Sequence, residues 1–75
     1  MYALSLRHAD HVREYSIRQI GSSGWEVRLE EDRKVRRLAH YTDWHRVERA
    51  QAMFELEATQ LAERGWKILK ADLSR

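Results

Sequence analysis

The chain has 75 residues, enough for one small domain, and contains no cysteine and no proline. Disulfide staples and cysteine zinc sites are therefore excluded, and a core this small leaves a net stability of only a few kcal/mol. Fourteen basic residues stand against twelve acidic ones, a net charge of +2 that is ordinary for solubility and does not by itself point to nucleic acid.

No apolar run approaches the roughly 20 residues needed to cross a bilayer, so no membrane partner is expected. The N-terminal Met-Tyr-Ala-Leu-Ser-Leu-Arg lacks the charged start and long apolar stretch of a secretory signal. The expected compartment is cytoplasmic. Three glycines and no low-complexity stretch argue against long linkers.

In chain order, Tyr2, Leu4 and Leu6 alternate with Ala3 and Ser5, which predicts a short strand. Arg7-His8-Ala9-Asp10 predicts a polar turn. Val12 to Ile20 predicts a second strand, with Tyr15 and Ile17 facing inward and Glu14, Ser16 and Arg18 outward. Gly21-Ser22-Ser23-Gly24 predicts a turn, because glycine takes positive φ without steric cost. From Trp25 to Glu30 the period-two alternation is strict: Trp25, Val27 and Leu29 on one face, Glu26, Arg28 and Glu30 on the other. Glu31-Asp32-Arg33 predicts a reversal and Lys34 to Tyr41 a further strand. Its inward set is read as Val35, Ala39 and Tyr41, with Arg37 at an edge or a bulge.

The stretch of about 43–64 predicts one long helix. Val47, Ala50, Phe54, Ala58 and Leu61 recur at steps of three and four and so share a stripe. Thr42 or Asp43 can cap its start, and Gly65 can end it. Trp66 to Lys70 follows, either docked at the foot of the helix or paired as an edge strand. Strands grouped before a helix predict an α+β fold: a single domain with a three- to four-stranded antiparallel meander sheet and one long C-terminal helix packed on one face. The expected core comprises Tyr15, Ile17, Trp25, Val27, Leu29 and Val35 from the sheet, and Val47, Ala50, Phe54, Ala58 and Leu61 from the helix.

This order of residues resembles the WGR domain, a small module of an antiparallel sheet plus one helix. The resemblance rests on Leu4 and Leu6 before Asp10, on Arg13-Glu14-Tyr15-Ser16-Ile17, on Trp25-Glu26-Val27, on Ala50 and Phe54 in the helix, and on the closing Gly65-Trp66. It spans most of the chain and implies the fold above. WGR domains occur in DNA-end and poly-ADP-ribose signalling proteins, so the resemblance also implies contact with DNA. Where the Trp-Gly-Arg motif stands in the family, this chain reads Leu29-Glu30-Glu31-Asp32-Arg33, and three acids there would repel phosphate.

Two surfaces are candidates for function. Arg18, Arg28, Arg33, Lys34, Arg36, Arg37 and His40 form a candidate nucleic-acid surface on the basic sheet, of which Arg18, Arg28, Arg36 and His40 could lie together on the outer face, contact phosphates and release counterions. Glu14, Glu26 and Glu30 share that face, and cross-strand pairing among these charges is the competing reading. Trp44, Ala52, Met53 and Leu56 form a candidate protein interface or self-association surface on the outer helix face and its flanks.

Catalysis is not expected. The serines lack a Gly-x-Ser-x-Gly context, and Glu55, Glu57 and Glu63 do not converge on a helical wheel. His40, Asp43 and His45 flank the strand-to-helix corner without a partnered nucleophile. His8, Asp10 and His11 read as a polar turn, since a metal site needs three or four ligands at suitable spacing. No cofactor and no metal are expected.

Overall fold

A computed structural model describes residues 2–22 and 24–72. Five strands and one helix follow in the order β1 (Tyr2–His8), β2 (His11–Ile20), β3 (Gly24–Glu31), β4 (Lys34–Tyr41), α1 (Trp44–Glu63) and β5 (Lys67–Asp72). They form one antiparallel sheet in the spatial order β4-β3-β2-β1-β5, with α1 lying across one face. The α+β class is as the strand and helix patterns predict.

The period-two pattern sets the two faces. Paired residues such as Leu4 and Tyr15, Tyr15 and Leu29, or Ile17 and Val27 share the inner face, and all are buried. With Tyr2, Leu6, Val47, Phe54 and Ala58 they complete one core. Phe54 is its centre of aromatic packing, 4.6 Å from the Tyr15 ring and 6.4 Å from that of Tyr2. Trp25, Ala50 and Leu61 pack against this core half-buried.

Turn chemistry fixes the register. Asp32 and Arg33 both adopt positive φ, at 53° and 69°. Such a two-residue turn matches the right-handed twist of the flanking strands. Asp32 also ties the turn to β2: its carboxylate accepts the Val12 N–H at 2.9 Å and sits 2.8 Å from His11 Nδ1. Gly21 takes φ +63° in the β2–β3 turn, and Ser23 of the predicted turn lies outside the described residues.

The helix is bounded as its sequence suggests. Asp43 is the N-cap, accepting the His45 N–H at 2.9 Å. At the other end Gly65 takes φ +100°, the Gly65 N–H donates to Ala62 O and the Trp66 N–H to Leu61 O. Both bonds satisfy carbonyls that the last turn would otherwise leave open.

Two expectations are corrected. The sheet has five strands rather than three to four, because Lys67–Asp72 pairs with β1 as an edge strand, one of the two placements the sequence leaves open for this stretch. A bulge between the pairs formed by Ser5 and Leu6 shifts its register, which obscures any alternation in Ile68-Leu69. Val35 is not in the core but 50% exposed. A bulge in β4 sets Leu29 opposite Arg37 and Glu30 opposite Val35, so Arg36 is the extra residue. Before the bulge Val35 shares the outer face with Glu30. After it Arg37, Ala39 and Tyr41 share the inner face with Leu29, Val27 and Trp25. The core also includes Tyr2, Leu4 and Leu6, which the sequence marks as a strand but not as core.

Candidate ligand-binding groove

The seven cationic candidates of the sheet do not form one patch. Arg18, Arg28 and His40 do meet on the outer face, and what brings them together is Glu26. Arg28 Nε lies 3.3 Å and Arg18 Nε 3.5 Å from Glu26 Oε1, and His40 Nε2 lies 3.5 Å from Oε2. Arg28 also donates through Nη1 to Glu30 at 3.1 Å. Glu26 is only 8% exposed under this cover. The cross-strand register dictates the arrangement, since Arg18 and His40 are the direct partners of Glu26 on its two neighbouring strands. The centre of this cationic set is thus already occupied by a carboxylate.

Arg33 and Lys34 stand exposed at the β3–β4 tip. Arg36 and Arg37 turn towards the helix side. Arg37 Nη2 donates to Glu57 Oε1 at 2.6 Å, and Arg36 lies at a loose 3.8 Å from Glu31. Glu57 also accepts from the Tyr15 hydroxyl at 3.3 Å. Arg13 donates to Glu31 at 2.6 Å and lies 5.7 Å from the centre of the Trp66 ring. Trp66 stacks on His8 at the end of β1 with ring centres 5.6 Å apart and packs against the core.

Beside this network lies a groove of about 730 Å³ between β4 and α1. Val27, Ala39, Ala50 and Phe54 contribute its apolar lining, and Arg36, Arg37, Arg46 and Arg49 its cations. It forms because β4 is the sheet edge and α1 leaves it at once, the helix starting three residues after Tyr41 and running over the core. The short Ala39 and Ala50 keep the two elements from filling the space between them. Arg46 and Arg49 differ from the other two arginines of the groove, Arg36 and Arg37: neither has a carboxylate within 4 Å among the described residues. Both are exposed. Sequence reading did not single them out. Their signal was positional, an i, i+3 pair next to Ala50 and Met53 on the helix flank that follows an arginine-bearing strand.

The candidate protein interface is dispersed. Trp44 packs on Trp25 with ring centres 5.1 Å apart, as part of the fold. Met53 lines the groove, and Ala52 and Leu56 stay exposed on the back of the helix.

Among the described residues no group of three metal-ligating side chains occurs, and no helix is long and apolar enough to cross a membrane. The Tyr2 hydroxyl is buried without a hydrogen-bond partner, and burial, with Glu55 and Tyr15 nearby, pushes it up to about 12. His11 pairs with Asp32 and not with His8 or Asp10.

No family model matches the chain, and no curated protein or solved structure matches it.

Proposed function

We propose that the chain is a non-catalytic binding module for an anionic partner, and that the partner sits in the groove between β4 and α1. The observation that carries this reading is the pair Arg46 and Arg49, cationic, without a carboxylate within 4 Å among the described residues, and beside an apolar lining. An apolar depression with convergent charged groups is the common form of a binding site, the lining giving affinity and the charges orientation. The resemblance to WGR domains favours an anionic ligand too, with nucleic acid as its first named form. The groove, however, draws only Arg36 and Arg37 from the seven sheet candidates.

The outer sheet face supports nucleic-acid binding less well. Proteins that hold single strands on a sheet offer aromatic rings for the bases to stack on. Here the outer positions of the three central strands are Ala3, Ser5 and Arg7, then Val12, Glu14, Ser16, Arg18 and Ile20, then Glu26, Arg28 and Glu30, with no aromatic ring among them.

Amide NMR titration with polyglutamate and with mixed-sequence single-stranded DNA, at low and near-physiological salt, tests the reading. Shifts are expected on residues 36–41 and 46–54, and Arg46→Glu with Arg49→Glu abolishes them. Shifts centred on Arg18, Arg28 and His40, or none with either polyanion, would overturn it.

A second reading, self-association through the helix back, is favoured by Leu56, which is 52% exposed. It requires a concentration-dependent mass that Leu56→Glu abolishes. A constant monomer mass over a wide concentration range removes it.

A further inference from the structure

We infer that the occupant of the groove is an extended acidic segment of another protein, which adds to β4 as a sixth strand. This rests on the reading of the groove as an anion site and specifies the partner.

The first support is the edge itself. β4 has β3 on one side and, among the described residues, no strand on the other, so alternate N–H and C=O groups along it point outward. An extended peptide satisfies those groups through its main chain, and its alternating side chains then read the two faces. The second support is what each face offers. A strand laid beside β4 continues the sheet under the flank of α1, so its inward side chains meet Arg46, Arg49 and Met53. Its outward side chains meet Val35 and Leu38, each 50% exposed on the outer face of β4. The ligand pattern that fits is therefore alternation, with carboxylates on one face and apolar or β-branched residues on the other.

Charge selects among occupants. A second copy paired through β4 would set Lys34, Arg36 and Arg37 against their own kind, and like charges across a strand pair are destabilising. The other edge, β5, presents Lys67 and Lys70 and is no better suited to β4. A nucleic acid can neutralise the arginines but cannot continue the backbone ladder. An acidic strand does both.

The test compares four probes at near-physiological salt by calorimetry and amide NMR. They are a capped eight-residue peptide alternating glutamate with valine and threonine, the same peptide N-methylated on alternate residues, its lysine counterpart, and a single-stranded DNA of equal charge. The acidic peptide is expected to bind, with shifts on Val35 to Tyr41 and nuclear Overhauser contacts between peptide and β4 protons. N-methylation removes several main-chain hydrogen bonds and should weaken binding by about tenfold or more. Arg46→Glu with Arg49→Glu should do the same to the unmodified peptide. Equal binding of the methylated peptide would overturn strand addition and leave the groove as an anion site. Tighter binding of DNA would overturn the peptide and leave the anionic partner. Failure of every anionic probe would overturn both, the charges then serving only to keep the edge from self-pairing.

Discussion

The molecule contains two kinds of arginine. Arg13, Arg18, Arg28 and Arg37 each lie on a carboxylate of the same fold, within 2.6 to 3.5 Å. Arg46 and Arg49, one turn of helix apart, have none within 4 Å among the described residues, and of the arginines without one they are the two that line the groove. The difference follows from topology. Arg13 and Arg18 face Glu31 and Glu26 across the strand register, Arg28 reaches Glu26 and Glu30 two residues away on its own strand, and Arg37 reaches Glu57 on the helix above it. The flank of a helix over an open sheet edge has no such neighbour. A count of basic residues cannot separate the two kinds, which is why the strand cations alone read as a nucleic-acid surface.

The largest expected effect is on the paired side. Arg13→Ala removes a guanidinium that bonds Glu31, donates to the Tyr15 hydroxyl at 3.3 Å and covers Trp66. Lost packing and a half-buried carboxylate left without its cation should cost about 1–3 kcal/mol in urea unfolding. A change below about 0.5 kcal/mol would mean that the paired arginines are as dispensable to the fold as surface ones.

Glu26→Gln breaks the comparison from the other direction. It removes the negative centre from Arg18, Arg28 and His40 while keeping the shape. Stability should fall by about 1 kcal/mol, because a largely buried charge pair is lost. The outer face should then bind single-stranded DNA in a salt-dependent manner that the parent lacks there. If the variant gains no such binding, neutralisation by Glu26 is not what keeps that face silent.

Arg46→Glu and Arg49→Glu should each change unfolding free energy by less than about 0.5 kcal/mol, because no internal partner is lost. The same substitutions should abolish binding of an anionic probe. A marked loss of stability would place these residues with the structural arginines and remove the basis for a site.

How far the sequence reveals this depends on whether neighbours are set by periodicity or by irregularity. β2, β3 and the helix stripe follow from alternation and from steps of three and four, and the caps at Asp43 and Gly65 follow from residue chemistry. The bulge in β4 does not, because nothing in Lys-Val-Arg-Arg-Leu states which residue is the extra one. That single residue moved Val35 out of the core and turned Arg36 away from the face of Arg18 and Arg28. β5 is obscured for the same reason, with all six residues exposed and its register shifted by a bulge. The groove was beyond reach of both patterns, since it exists only where the helix leaves an edge whose position the strand order decides.

The smallest effect lies at the corner where β2 meets the β3–β4 turn, and pH reads it. The hydrogen bond and charge of Asp32 raise the His11 imidazole above its ordinary 6.5. The His11 hydrogen bond, with that from the Val12 N–H, lowers Asp32 below 3.8. For His11, raised in the folded state, the contribution is fully present below 6.5 and fades as pH rises through the folded value. For Asp32, lowered in the folded state, it is fully present above 3.8 and fades as pH falls through the folded value. The pair is therefore at full strength between about 3.8 and 6.5; above that window the charge contribution of His11 fades, while the Val12 N–H bond to Asp32 persists. Both side chains are exposed, so the effect on global stability is slight. It is measurable locally. The His11 ring protons should titrate with a midpoint above 6.5, and Asp32→Asn should return that midpoint close to 6.5. An unchanged midpoint in the variant would mean that the contact does not hold in solution. The turn would then be tied to β2 only through Val12, whose N–H donates to the Asp32 carboxylate and whose carbonyl accepts the Asp32 N–H, with Asp32 and Arg33 at positive φ.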